Sequence, residues 1–183
     1  QSKKKLGNMI LIQGNKIYEE GVSSTQKGTS INVKKIFYNV PARRNFLKSN
    51  NVELKKNIDE FHRIALSHPE IKFKFHHNKT ELFDLPSTKI KNRICSIFGN
   101  KINEFLVPLK ERTSVANIDG YVVKPNFAKK TRGYQFLFVN NRFIKSSFLH
   151  HAVVSAYEGL LSEKFHPGYF IFLTVDPSKI DIN

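Results

Sequence analysis

The sequence predicts an α+β protein, and three observations carry that prediction. Apolar residues alternate strictly in Ile71-Lys72-Phe73-Lys74-Phe75 and run together in Phe136-Leu137-Phe138-Val139, the patterns of half-buried and doubly covered strands. Leu54, Ile58, Phe61 and Ala65 instead recur at the spacing of one helix face. Third, Pro86-Ser87-Thr88 interrupts the pattern near the middle of a chain of 183 residues, a length that admits one large domain or two small ones. The expectation is therefore two domains, 1–88 and 89–183, meeting at about 86–89.

The elements follow in order. Residues 8–40 read as a meander of strands: Met9–Ile12, then Lys16–Glu20 after the turn-forming Gly14-Asn15, then apolar side chains returning at Ile31, Val33 and Ile36-Phe37. Pro41 changes the period. The stripe from Leu54 to Ala65, widened by Ile64 and Leu66 and stopped by His68-Pro69, predicts a helix over about 52–67. Ile71–Phe75 and Glu81–Leu85 form a hairpin around His77-Asn78-Lys79. Ser87 or Thr88 can cap a helix carrying Ile90, Ile94, Ile97 and Phe98 up to Gly99. A strand around Ser114–Val123, a basic loop over 124–133 and the run Phe136–Val139 come next, the last bounded by Asn140-Asn141. Ser146 or Ser147 can cap a helix with the stripe Leu149, Val153, Ala156, Tyr157 and Leu160, and Gly168–Val175 is a final buried strand closed by Asp176-Pro177. The order of the second half is β-loop-β-α-β, without internal repeats.

Composition excludes several classes of protein. The chain is 40% hydrophobic with 16 Phe, too apolar for a disordered polycation. Its one cysteine, Cys95, forms no internal disulfide and no thiolate-rich zinc site, which fits a reducing compartment and makes the cytoplasm the expected location. No apolar run approaches the ~18 residues of a membrane span, and Gln1-Ser2-Lys3-Lys4-Lys5 has neither an initiator Met nor the apolar stretch of a signal peptide, so the chain reads as part of something longer. The net charge is +15. Abundant Lys, Asn, Ile and Phe match an A/T-rich genome, which raises Lys independently of function, so distribution matters more than total. Between Asp119 and Glu158 there is no acid, yet Lys124, Lys129, Lys130, Arg132, Arg142 and Lys145 all fall there. Clustered cations without intervening acids suit a polyanion.

A search for catalytic chemistry finds little. His76-His77 and His150-His151 are adjacent pairs, not i, i+4 pairs, and read as packing or surface histidines. No nucleophile elbow, zinc-protease helix or Walker loop occurs. Two clusters stand out. Tyr38-Asn39-Val40-Pro41-Ala42-Arg43-Arg44-Asn45-Phe46-Leu47 places two arginines after a helix-starting proline, where they oppose the dipole unless an anion is near. In Val139-Asn140-Asn141-Arg142-Phe143-Ile144-Lys145 a turn is flanked by two cations.

These residues also carry a resemblance. The segment Gly28–Leu47, with Asn39, Pro41, Arg43 and Arg44 in its core, resembles the signature of the MutL family of DNA mismatch repair proteins. The likeness continues through Ile64–Pro69, Phe138–Arg142, His151-Ala152-Val153 with Ala156-Tyr157, His166–Tyr169 and Asp176-Pro177 to Asp181-Ile182-Asn183. It implies that 1–88 is the C-terminal part of a GHKL-type ATPase α/β sandwich, and that 89–183 is most of a transducer domain of the ribosomal S5 domain 2-like fold, truncated at its end and with a left-handed βαβ crossover.

The resemblance further implies a parent protein that is a slow ATPase using ATP and Mg²⁺, and that dimerises, binds duplex or single-stranded DNA and recruits a mismatch-recognition protein of the MutS type. The family's ATPase motifs fall before Gln1 and its transducer lysine beyond Asn183, so no ATP hydrolysis and no cofactor are expected of this stretch alone. Thr29 matches a position used near adenine. Arg142 and Lys145, with Lys124, Lys129, Lys130 and Arg132, are the expected DNA contacts, and Asn39, Pro41, Arg43 and Arg44 the interdomain motif. The chain departs from the family at Ser147, where a further basic residue is common. Two other readings are the transducer region of another GHKL enzyme, such as a type II topoisomerase subunit, and a non-catalytic S5-like nucleic-acid-binding module. The Pro41-Ala42-Arg43-Arg44 segment and the Asp181-Ile182-Asn183 end argue against the first, and the Gly28–Leu47 segment against the second.

Overall fold

The computed structural model describes residues 6–179; the Asp181-Ile182-Asn183 part of the resemblance lies outside them. Packing divides the chain into two compact units, Gln1–Glu53 and Leu54–Asn183.

In the first unit β1 (Leu6–Gln13) and β2 (Lys16–Ser24) form an antiparallel hairpin. Its turn is Gly14-Asn15, where Gly14 has φ +60°, a backbone that costs a residue without Cβ little. The strand expected at Ile31–Phe37 is not formed. Residues 36–39 are a turn instead, Lys35 and Phe37 have φ of 50° and 62°, and no described strand pairs with this stretch. An alternating segment without a neighbour gains no ladder, so it does not extend. Pro41 then starts the five-residue helix α1 (Pro41–Asn45).

In the second unit, α2 (Asn50–Ser67) extends two residues further back than its apolar stripe predicts. From Leu54 on it lies against the hairpin of β3 (Phe73–His77) and β4 (Thr80–Leu85), with the Phe61 ring 5.0 to 6.1 Å from those of Phe75, Phe83 and Phe73. Helix α3 (Ile90–Phe98) is preceded by Lys89, which makes no side-chain cap. The cap expected of Ser87 or Thr88 is not formed: the helix starts at Ile90, which puts Lys89 in the cap position, and the Thr88 N–H bonds the Pro69 carbonyl (2.9 Å).

A five-stranded sheet follows, built from β5 (Leu106–Arg112), β6 (Ala116–Val123), β7 (Gln135–Val139), β8 (Arg142–Phe143) and β9 (Tyr169–Val175), in the order β5-β6-β9-β7-β8. Strands β7 and β9 run parallel and are joined through β8 and α4 (Ser147–Ala156). Strand β5 escapes the sequence pattern because Pro108 sits in its middle; β5 is an edge strand, where a missing N–H is tolerated. As the run Phe136–Val139 predicts, β7 is covered on both faces. Phe138 packs with Leu66, Ile94 and Phe170 on one face, while Leu137 packs with Ile171, Leu149 and Val153 on the other. Because Leu66 and Ile94 share a core, packing is continuous through 86–89, and the division expected there does not interrupt it.

Candidate nucleic-acid interface

The turn between β7 and β8 is set by its two asparagines. Asn140 and Asn141 have φ of 46° and 64°, the left-handed pair that a two-residue hairpin loop requires and that Asn accepts most readily after Gly. The Asn140 side chain donates to the Val175 carbonyl (2.9 Å) and accepts from the Val175 N–H (3.0 Å), tying the turn to the end of β9. Arg142 is thereby presented to solvent on a fixed backbone, while Phe143 faces inward beneath the Arg63 guanidinium, 4.2 Å from its ring centroid. Lys145 is exposed just beyond. Ser146 caps α4, its Oγ accepting from the Leu149 N–H (3.2 Å). Ser147 is the first helical residue and is exposed, so it adds no charge here.

The other expected contacts lie at the opposite end of β7, roughly 16 Å away for five residues of strand. The structure therefore separates the six bases into two groups. Within the 124–133 loop they are not equivalent. Lys124 Nζ donates to the Glu104 carbonyl (3.1 Å), which commits it to the backbone of the turn before β5. Lys129 lies 4.0 Å from the Tyr134 ring centroid and Lys130 5.8 Å from that of Phe165. Arg132 is exposed.

Several acids of the second unit are occupied. Glu60 pairs with Arg63, Asp84 with Lys72 and Lys74, Glu81 with Lys74, and Asp119 with Arg112. Among the described residues, Lys129, Lys130, Arg132, Arg142 and Lys145 form no ion pair. Cations without an internal ion pair keep their charge available to an external polyanion.

Thr29 is exposed in an irregular segment after Gly28. Asn39 lies in the turn and Pro41 opens α1. Arg43 and Arg44 are exposed, and the Arg43 guanidinium stands 6.0 Å from the Phe37 ring centroid. The dipole conflict expected of these arginines is relieved by the brevity of α1. With only five residues, its first turn is also its last, where cations are favourable.

His150, which the sequence pattern reads as a packing or surface residue, and His166 take on further contacts in the fold. His150 Nδ1 and Tyr169 Oη are hydrogen bonded (2.9 Å), and the His166 N–H donates to the Lys129 carbonyl (2.8 Å). The only sequence signal was the doublet His150-His151, which carries no information about residues brought in from 132 and 166.

The family described as DNA mismatch repair protein, C-terminal domain, matches residues 94–183. The chain is 55% identical over 178 residues to the DNA mismatch repair protein MutL of Christiangramia forsetii, covering 97% of this chain and 29% of that protein. It is 53% identical to the MutL of Flavobacterium psychrophilum over 183 residues, covering 100% of this chain and 30% of the relative. It thus spans less than a third of these relatives. Among solved structures, the N-terminal domain of a DNA repair protein matches with TM-score 0.84 at 21% identity, over 100% of this chain and 61% of that one. The Aquifex aeolicus MutL ATPase domain complexed with ADP matches with TM-score 0.74 at 21% identity, over 96% and 64%. The fold is that of the ATPase and transducer region of these proteins.

Proposed function

The chain belongs to the MutL family of DNA mismatch repair proteins, and from that premise we propose that it is the segment through which the whole protein couples ATP binding and hydrolysis to DNA binding and to recruitment of repair partners. The observation that carries the DNA part is the set of unpaired cations at the two ends of β7. Arg142 and Lys145 stand at one end and Arg132, Lys129 and Lys130 at the other, on a stretch without acids from Asp119 to Glu158. Such an arrangement engages phosphates and not base edges, so it positions the protein on DNA without reading sequence. A MutS-type partner and homodimerisation are part of the same proposal for the whole protein.

ATP and Mg²⁺ belong to that whole. Thr29 offers one hydroxyl, and among the described residues no three His, Cys, Asp or Glu side chains gather as a metal site requires. These residues do not by themselves fit a nucleotide and its metal, and no step of ATP chemistry is assigned to them.

The test is duplex binding by fluorescence anisotropy at two salt concentrations, comparing the chain with Arg142→Glu/Lys145→Glu. Binding should weaken with salt, and the double variant should lose about tenfold or more in affinity, with a log–log slope shallower by about one for each phosphate contact removed. Absence of binding at low salt, or indifference to the double substitution, would overturn the DNA reading.

A further inference from the structure

We propose that Arg132, His150 and His166 form a second phosphate-receiving site, which takes up a proton as a phosphodiester of the nucleic-acid backbone settles on it. The proposal rests on the reading that this chain binds DNA, and adds a site and a pH response to it.

The geometry is built by three elements. Helix α4 carries His150 to Tyr169 at the start of β9, where the two side chains are hydrogen bonded (2.9 Å). The basic loop is fastened beside them by an isolated antiparallel bridge between Lys129 and His166, and by the Tyr169 N–H donating to the Tyr134 carbonyl (2.6 Å). Arg132 lies between these two fastenings in the chain, and its charge acts on both His150 and Tyr169. The Tyr169 phenol is hydrogen bonded to His150, and the charged or titratable groups near enough to act on it are Arg132 from the loop, His166 from the segment before β9 and His151 from its own helix. Glu158 and Glu163 lie in the same region, lining a cavity of about 360 Å³ with His151 and His166. Neither is among the charges that shift His150.

Burial first, and then Arg132, His166 and His151, hold His150 below its ordinary value of 6.5. Free, the site holds the Arg132 charge near an imidazole whose protonation burial and that charge disfavour. A phosphodiester supplies the missing negative charge, stabilises the imidazolium and raises its pKa. Binding then consumes a proton, so affinity rises as pH falls. The rise begins at the raised pKa of the complex and levels off at the depressed pKa of the free chain.

Two measurements test this on the 183-residue chain. In anisotropy at constant ionic strength, lowering the pH from about 8 to about 6 should tighten duplex binding about threefold to tenfold, since a shift of one pKa unit is a factor of ten. His150→Gln/His166→Gln should abolish that gain, and Arg132→Gln should weaken binding at both pH values. Binding independent of pH, or a pH gain that survives loss of both histidines, overturns the proposal. The second measurement follows the His150 imidazole by NMR as pH is varied, with and without inorganic phosphate or duplex. An upward move of its pKa with duplex alone identifies the polymer backbone as the ligand, and a move with both identifies the shared phosphate chemistry. No move with either sinks the site. If the chain binds no duplex, the function proposed above fails, and the phosphate titration still decides this one. If His150→Gln unfolds, the NMR titration of the unsubstituted chain carries the test.

Discussion

Arg93 on α3 is fully buried, and carbonyls surround its guanidinium. One terminal nitrogen donates to Pro69, Ile71 and Pro86 (2.8, 2.7 and 3.0 Å) and the other to Leu85 (3.4 Å), while Nε has no partner. Burial lowers its pKa and Glu70 partly offsets this. A rigid fork can serve several carbonyls together, which a lysine ammonium cannot. Arg93→Met should therefore cost about 3 kcal/mol or more in urea denaturation, because buried carbonyls lose their donor, and Arg93→Lys should recover only part of that. His62 makes a different residue-scale prediction. It lies between the Phe83 and Phe98 rings (5.1 and 5.6 Å) with Nε2 unpartnered. Burial holds its pKa below 6.5 and Asp59 partly restores it. The unfolded chain thus binds a proton more readily than the folded one. The contribution to stability is present above pH about 6.5 and is lost as pH falls through that value, by at most ~1.4 kcal/mol per unit. Urea midpoints taken at pH about 7.5 and 5.5 should diverge less in His62→Phe than in the unsubstituted chain.

At the scale of the element, the pairing of β6 with β9 depends on Gly120. Its φ is +148°, and a Cβ there would stand 2.0 Å from the Phe170 carbonyl oxygen, a contact no rotamer change can relieve because the neighbour is backbone. Gly120→Ala should cost about 3 kcal/mol through strain and overpacking, read as a lowered Tm, whereas Gly21→Ala, with open space around its Cβ position, should be close to neutral. Elements also show where sequence patterns succeed and fail. Helix α2 and the Asn140-Asn141 turn announce themselves, since their signals lie within a few residues. Strand β5 does not, because Pro108 argues against a strand until its place at the sheet edge is known. Residues 31–37 fail in the other direction, having a strand's alternation but no described neighbour to pair with.

For the molecule as a whole, the two groups of cations at opposite ends of β7 give the duplex-binding test a finer form. Separated by the length of the strand and sharing no partner, they should contribute independently. Combining Arg132→Gln with Arg142→Gln should lower affinity by close to the product of the single losses, whereas Arg142→Gln with Lys145→Gln, on one turn, should deviate from it. Measured products that disagree for the distant pair would mean that the two ends do not act as separate contacts. No helix among the described residues is long and apolar enough to cross a membrane.

By itself the sequence determined the α+β class, the two helices with clear apolar stripes, the doubly covered β7 and the acid-free basic stretch, and through Gly28–Leu47 it pointed to the family. Each of these is local, being a period, a run or a motif read along the chain. The tertiary structure alone decided which strand lies at an edge, why Arg93 is buried, how the six bases divide, and that the basic loop bridges to His166 while His150 meets Tyr169. Those are relations between residues far apart in sequence, set by the sheet order and by the core that Leu66, Ile94 and Phe138 share, and no spacing along the chain encodes them.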